Sequence, residues 1–355
     1  MRYIAAAYLK KGMKLACNVY TGESKILYDK GTVLKPAYVD KINNLGYAGL
    51  YVEEDETKHI EIEQMVPEEN YMASVVAARE FLETAQNGYD KRAKSESLDK
   101  QRNLVMPLID ILEERRRRMV DYIDLKPYNG YDYYHAASVM ILSLLVGMEL
   151  KLEKNLLYEL GVAALLHDIG NAFLPPEILN RPGALSDEEF EIVKKHVEKG
   201  YDYLHEYHNL STEACLGALQ HHENYDGTGY PNKLKRKQIS LFGRIIACTD
   251  VYDALVSRRP FRPAKYAQQA LEILEQNADR KFDPDIVAAI EKVVAPYPTG
   301  VGVQLTTGEK CLVFRNYPDS LSRPRLLPID GASGVFIDLA KDPELSKVKV
   351  KKILE

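Results

Sequence analysis

Apolar positions in the middle of the chain recur every three to four residues, while at both ends they come as short runs broken by glycine. The first pattern predicts helices, the second short strands. In residues 1–62 the runs Ile26-Leu27-Tyr28, Val33-Leu34 and Leu50-Tyr51-Val52 are separated by Gly22, Gly31, Gly46 and Gly49. One helix is expected there from Pro36 to Leu45: the proline suits a first turn, Val39, Ile42 and Leu45 share a face, and Gly46 stops it. A polar, acidic linker follows over 61–65. Residues 63–124 then read as a helical lead-in, with Leu104, Leu108, Ile111 and Leu112 at helical spacing. From 125 to 295 helix follows helix, over Tyr133 to Leu150, Glu159 to Ile169, from Ser186 through His196, Thr212 to Glu223 and Ser240 to Arg258. Ser186 and Glu189 form a capping-box signature. Past Pro296, Pro298, Gly300 and Gly302 the runs Val301 to Leu305, Cys311 to Phe314, Val335 to Leu339 and Val348 to Leu354 predict strands, with a hairpin turn at Thr307-Gly308-Glu309. The expected fold is mainly α: a helical domain at 125–295, a helical lead-in, and small β-rich modules at 1–62 and 296–355.

Within this pattern one polar pair stands out. His167-Asp168 closes the apolar run Leu160 to Leu166, just ahead of Gly170, which is expected to stop the helix. Two ionisable neighbours at a buried helix end need partners or a cation, because an unpaired buried charge costs several kcal/mol. Further ligand-type residues lie in the same helical region: His135, His196, His221, His222 and Asp250. Imidazole and carboxylate without thiolate suit Fe, Mn, Zn and similar ions. A carboxylate in the middle of such a set can join two ions about 3.5–4 Å apart, an arrangement that holds a bridging hydroxide and drives in-line displacement at phosphorus.

The helix that carries Asp250 supports this independently. Ala247, Asp250, Asp253, Ala254 and Ser257 form a small and acidic strip along one face, opposite Ile245, Val251, Tyr252 and Leu255. Asp253 has two equal readings, a carboxylate orienting a ligand histidine or the partner of an arginine. His221 and His222, as helix neighbours about 100° apart, serve one cleft only if it wraps the helix or holds more than one ion. The alternative is one ligand and one structural histidine. His59, His205 and His208 read as surface residues.

Composition limits the rest. The chain has 355 residues, 46% hydrophobic and 28% charged, with a net charge of −5. No global basic field is present to hold a nucleic-acid polymer. The basic run Arg115 to Arg118 is offset by Glu113, Glu114 and Asp121 and reads as a solvated helix face. Four cysteines, far apart and without a CxxC, fit a reducing compartment. The stretch Met1 to Lys11 is too short and polar for a signal peptide, and no run approaches the roughly 20 apolar residues of a membrane span. A cytoplasmic location is therefore expected.

Taken together, Leu165-Leu166-His167-Asp168-Ile169-Gly170 and His221-His222-Glu223-Asn224-Tyr225-Asp226-Gly227-Thr228-Gly229-Tyr230-Pro231 resemble the HD-GYP family of cyclic di-GMP phosphodiesterases. Pro175 to Gly183, Asp250-Val251-Tyr252-Asp253-Ala254-Leu255, Arg259-Pro260-Phe261-Arg262 and Phe282-Asp283-Pro284 agree with it, so the resemblance covers about 125–295. It implies an HD-type helical fold with a centre of two or three metals, often iron or manganese, and His167-Asp168 at the catalytic heart. By the same resemblance His135, His167, Asp168 and Asp250 would surround one ion. Asp168 would reach a second, held by His196 and His221 with His222 near. Tyr230, Arg259 and Arg262 would contact the guanines and phosphates of the ligand.

Three positions depart from the pattern. Asn171 stands in the substrate region where the family commonly has lysine, Tyr131 where three-metal members carry glutamate, and Arg258 where an acidic residue is usual. These favour two metals, a slower reaction and a more positive ligand mouth. The leading expectation is hydrolysis of cyclic di-GMP to linear pGpG, with further cleavage to GMP left open. A cyclic di-GMP receptor without efficient cleavage, and an HD-type hydrolase of another nucleotide, stay open. So does a homodimer or signalling partner. The segment Asp330-Gly331-Ala332-Ser333-Gly334 has residue types of a PilZ domain at the wrong spacing, and that domain is rejected.

Overall fold

The computed structural model describes residues 1–54, 60, 65–87, 91–115, 127, 130–179, 181, 183–206, 210–258, 263–329 and 335–354, without the side chains of 91–102. Most of the described helix lies in one body, flanked by small antiparallel sheets. The mainly α expectation holds.

The N-terminal sheet has β1 (Arg2–Ala5), β2 (Lys14–Leu15) and β5 (Gly49–Glu53), with β5 in the centre. Beside it β3 (Val19–Tyr20) pairs with β4 (Ile26–Tyr28). Helix α1 (Pro36–Asn44) begins on its proline, as the sequence predicts. Val33 makes only an isolated bridge to Lys14 rather than a strand. Leu15, Val19, Leu34, Ile42, Tyr47, Leu50 and Val52 close a small core.

The helical body contains α2 (Glu68–Gln86), α3 (Lys91–Arg115), α4 (Tyr131–Glu149), α5 (Lys154–Leu165), α6 (Pro176–Leu179), α7 (Asp187–Lys194), α8 (His196–His205), α9 (Thr212–Gln220), α10 (Leu241–Val256), α11 (Ala267–Gln276) and α12 (Pro284–Val293). Helix α4 is buried all round from Tyr134 to Gly147, with α2, α5, α10 and α12 packed on it. A helix apolar on every face has no other stable place. Met65, expected in the linker, is buried in this body's core. Residues 61–64 and 116–118, the rest of that linker and most of the basic run, lie outside the described residues. None of the described helices is long and apolar enough to cross a membrane.

Two helix ends differ from expectation in ways that matter for chemistry. Helix α5 stops at Leu165, so His167 and Asp168 sit in a turn before a 3₁₀ segment, Ile169–Phe173. Gly170 does not end the helix. A Cβ there would come 1.8 Å from the His196 carbonyl oxygen and 2.7 Å from the Gly200 nitrogen, so glycine is required for the turn to lie against α8. The helix opened by Ser186 also breaks, at Lys195, into α7 and α8. Its capping box is present, with the Glu189 N–H donating to Ser186 Oγ (3.2 Å) and the Ser186 N–H to Glu189 Oε2 (2.8 Å).

The C-terminal sheet is fully antiparallel in the order β10-β6-β7-β8-β9, with β6 (Gly302–Leu305), β7 (Lys310–Arg315), β8 (Arg325–Pro328), β9 (Ile337–Asp338) and β10 (Val350–Ile353). Strand β8 was hidden in the sequence by two prolines, Pro324 just before it and Pro328 as its last residue. Residues 330–334, the rejected PilZ-like segment, lie outside the described residues.

Candidate metal centre

The His–Asp turn after α5, the start of α4, the start of α8, the end of α9 and the middle of α10 bring seven side chains together. They form two groups: Asp168, His196, His221 and His222, and His135, His167 and Asp250. Within each group the potential ligand atoms lie within 4.8 Å of one another. Five imidazoles and two carboxylates from five segments thus meet, as the sequence predicts.

Local backbone geometry aims three of the rings. His167, His196 and His221 each donate Nδ1–H to the carbonyl three residues upstream, Ala164 (2.8 Å), Val193 (2.8 Å) and Ala218 (2.7 Å). A carbonyl only accepts, so the proton sits on Nδ1 and the lone pair on Nε2. Those lone pairs converge on one carboxylate. Asp168 Oδ1 is 3.3 Å from His196 Nε2 and 3.5 Å from His221 Nε2, and Oδ2 is 3.6 Å from His167 Nε2. The Nε2 atoms of His196 and His221 are themselves 3.5 Å apart.

His135 is held differently. Its Nδ1 is 2.6 Å from Asp253 Oδ2 and its Nε2 is 3.1 Å from Asp250 Oδ1. Asp253 is buried and also accepts from Ser257 Oγ at 3.4 Å. Of its two sequence readings, the geometry therefore has the carboxylate against a histidine. Tyr131 stacks on the His135 ring at 5.1 Å and 16°, with its hydroxyl 3.3 Å from Nδ1.

Electrostatics follow from this crowding. Burial pushes His135 down, but hydrogen bonds to Asp250 and Asp253 outweigh it and the imidazole is raised to about 9. Burial lowers His167 to about 4. Burial, aided by the neighbouring His221, also holds His222 well below its ordinary value. Burial works against ionised Asp168 and Asp250, yet the surrounding imidazoles keep both carboxyls below the usual range.

The arrangement fits divalent cations. His167 Nε2 is buried without a hydrogen-bond partner among the described residues. It faces other lone pairs and a carboxylate, an array that repels itself unless a positive charge lies between. His221 follows the last residue of α9, Gln220, still in helical backbone conformation, and it and His222 both belong to the group around Asp168.

Tyr230 stacks on His222 at 4.9 Å and 30°. Its loop is fastened by Glu223, a buried carboxylate that accepts from the N–H groups of Asn232 (2.6 Å) and Leu234 (3.1 Å). Burial raises the Glu223 carboxyl against these bonds. Glu223 had no assigned role in the sequence reading; a glutamate beside two site histidines was the available signal. Asn171 lies in the 3₁₀ segment after Asp168, with its N–H donating to the Asp168 carbonyl (3.0 Å). Arg259 and Arg262 lie outside the described residues, as do His59 and His208. Arg258, at an exposed position, donates from its guanidinium to the Tyr47 carbonyl (3.0 Å), which ties it to the N-terminal region. His205 is exposed and stacked on Tyr201, as a surface residue.

Comparison with known proteins adds one family match and three relatives. The family model described as HD domain matches residues 108–286, just over half of the chain. The chain is 38% identical over 209 residues to the cyclic di-GMP phosphodiesterase PA4108 of Pseudomonas aeruginosa, covering 59% of this chain and 50% of that one. It is 38% identical over 162 residues to a cyclic di-GMP phosphodiesterase of Thermotoga maritima (45% and 44% covered) and 35% identical over 168 residues to the 3'3'-cGAMP-specific phosphodiesterase 3 of Vibrio cholerae (47% and 36% covered). The chain spans half or less of the length of these curated relatives.

Proposed function

The chain belongs to the HD domain family, in line with its HD-GYP resemblance, and from that premise we propose that it is a metal-dependent phosphodiesterase that opens cyclic di-GMP to linear pGpG and carries it on to GMP. The observation that carries this is the set of Nε2 lone pairs aimed at Asp168, with His167 Nε2 buried and unbonded among the described residues. His135, His167, Asp168 and Asp250 would hold one ion. Asp168 would share the second with His196, His221 and His222. Two such ions, iron or manganese, would supply Lewis acidity and lower the pKa of water toward roughly 7.

The chain's own residues do the remaining work. The carbonyls of Ala164, Val193 and Ala218 keep the imidazoles in one tautomer, so no ring has to reorient during turnover. Asp253 holds His135 in place. Tyr230 keeps its proton, because burial and then Asp168 and Asp250 raise its phenol, and so it donates to a phosphate oxygen or guanine. Arg259 and Arg262 would grip phosphate by bidentate contact. In the reaction a water oxygen bonds to phosphorus, the P–O3′ bond breaks, and the 3′-oxygen leaves with a proton. A reducing cytoplasmic location agrees with Cys17, Cys215, Cys248 and Cys311 being free thiols.

The test is anaerobically purified protein loaded with iron or manganese, given cyclic di-GMP, with products separated by chromatography. Turnover to pGpG is expected. Bound metal of both kinds with no turnover would overturn the proposal. A second reading, cleavage of a guanine–adenine cyclic dinucleotide, is favoured by the likeness to the Vibrio cholerae enzyme. A parallel assay with 3'3'-cGAMP decides between them by relative kcat/KM.

A further inference from the structure

Helix α7 ends two residues before His196 and carries a group that the metal centre does not use. Phe190 and Lys194 are one helical turn apart and share a face. Lys194 Nζ lies 5.3 Å from the Phe190 ring centroid and 5.8 Å from that of Tyr230. Phe190 meets Tyr230 edge to face, at 6.4 Å and 84°. Tyr230 lies on His222, and His222 on His221 at 4.1 Å. A ladder of rings therefore runs from the buried imidazoles to a phenylalanine that is 46% exposed, with an ammonium beside its outer rungs.

Neither outer residue has a structural task that explains it. Phe190 belongs to none of the hydrophobic cores among the described residues. Lys194, its side chain 25% exposed, pairs with Glu191, whose side chain is 67% exposed. A pair that is open to water on its acidic side contributes little and can be exchanged for a phosphate. An exposed ring, Phe190, and a half-buried one, Tyr230, beside a cation offer what unstacked nucleobases and their phosphates require, because every base has a π-face to stack.

We infer that Phe190, Lys194 and Tyr230 form an outer subsite that takes a purine base and the neighbouring phosphate of the nucleotide ligand. This rests on the phosphodiesterase reading and deepens it. The base stacks on the aromatic rungs, and the Lys194 ammonium meets a non-bridging phosphate oxygen. The subsite also supplies a cation from α7 in a molecule that has Asn171 after its His–Asp turn.

The experiment is calorimetry and steady-state kinetics on metal-loaded full-length protein with cyclic di-GMP, for wild type, Lys194→Ala, Lys194→Arg and Phe190→Leu. Metal content is measured for each. Expected are a rise of tenfold or more in Kd and KM for Lys194→Ala, about fivefold for Phe190→Leu by loss of stacking, and at most threefold for Lys194→Arg. The change in kcat should be smaller than the change in KM throughout. Variants that bind as tightly as wild type would overturn the subsite while leaving the phosphodiesterase reading intact. Loss of metal in Lys194→Ala would also overturn it, since the lysine would then act through His196. A wild-type protein that takes up metal but no cyclic dinucleotide would fail the functional reading itself, and the subsite with it.

Discussion

Asp253 and Asp283 are both buried acids, and their partners give them opposite tasks. Asp253 faces His135, so its carboxylate orients that imidazole ring. Asp253→Ala should weaken metal binding by about 10–100-fold, the usual cost of removing such a partner, measured by competition with a chelator. Asp283 instead accepts from Lys237 Nζ (3.0 Å) and Arg244 Nη1, and caps α12 through the Asp285 N–H (3.1 Å). Burial works to raise its carboxyl, but Arg244 and Lys237 outweigh this and hold it below its ordinary value. The unfolded chain therefore binds that proton more readily. The stabilisation is complete at neutral pH and is lost as pH falls through the depressed folded value, below about 3.9. Asp283→Ala should cost about 3–5 kcal/mol at pH 7, because Arg244 is left buried and unpaired. Denaturant unfolding across pH 2–7 checks both, with the variant less sensitive to acid than wild type. The phrase Phe282-Asp283-Pro284 entered the sequence reading only through the family resemblance, and its two cations, which come from distant positions, did not enter it at all.

At the scale of elements, the site depends on where helices stop. Carrying α5 on to Ile169 would have left His167 and Asp168 on diverging faces of a helix; ending it at Leu165 turns both into the cluster. Gly170 makes that turn possible by its contact with the His196 backbone. Gly170→Ala should push α8 away, lowering the melting temperature and abolishing metal uptake together, as thermal scans with and without added metal would register. The loop of Tyr230 depends on Glu223 in the same manner. Glu223→Ala leaves the Asn232 and Leu234 N–H groups without their acceptor, at about 1–3 kcal/mol for each that stays buried. Gly229 is close-packed too, since a Cβ there would lie 2.2 Å from the Asn224 nitrogen. The capping box at Ser186 was legible because it is local, four residues long. The break at Lys195 was not, because the apolar spacing runs on through it and only packing against Gly170 requires the change of direction.

For the whole molecule, the N-terminal strands are fastened to the helical body at several points. Asn18 and Tyr20 donate to Glu68, Tyr134 Oη donates to the Thr21 carbonyl (3.1 Å), and Arg258 to the Tyr47 carbonyl. Tyr51 Oη donates to the Thr299 carbonyl (3.0 Å) and the Tyr3 N–H to the Gly300 carbonyl (3.1 Å). These attachments reach the start of α4 and the second residue after α10, the two helices that carry His135 and Asp250. Arg258→Ala should lower stability by about 0.5–1.5 kcal/mol, the net worth of one hydrogen bond from an exposed side chain. In hydrogen exchange, faster opening should appear in residues 1–54 before it reaches α5 or α9.

Residue types and spacing by themselves determined the helical class, the flanking strands, the five histidines and two aspartates of the candidate metal centre, and the HD-GYP resemblance. Periodicity and short motifs are local properties, and each residue carries its chemistry with it. Tertiary structure alone decided which nitrogen of each imidazole faces inward, that Asp253 serves His135, that Arg258 anchors the N-terminal strands, and that Phe190 and Lys194 meet Tyr230. Those outcomes depend on where separate segments end and which distant backbone atoms they meet, and a linear pattern holds no record of such encounters.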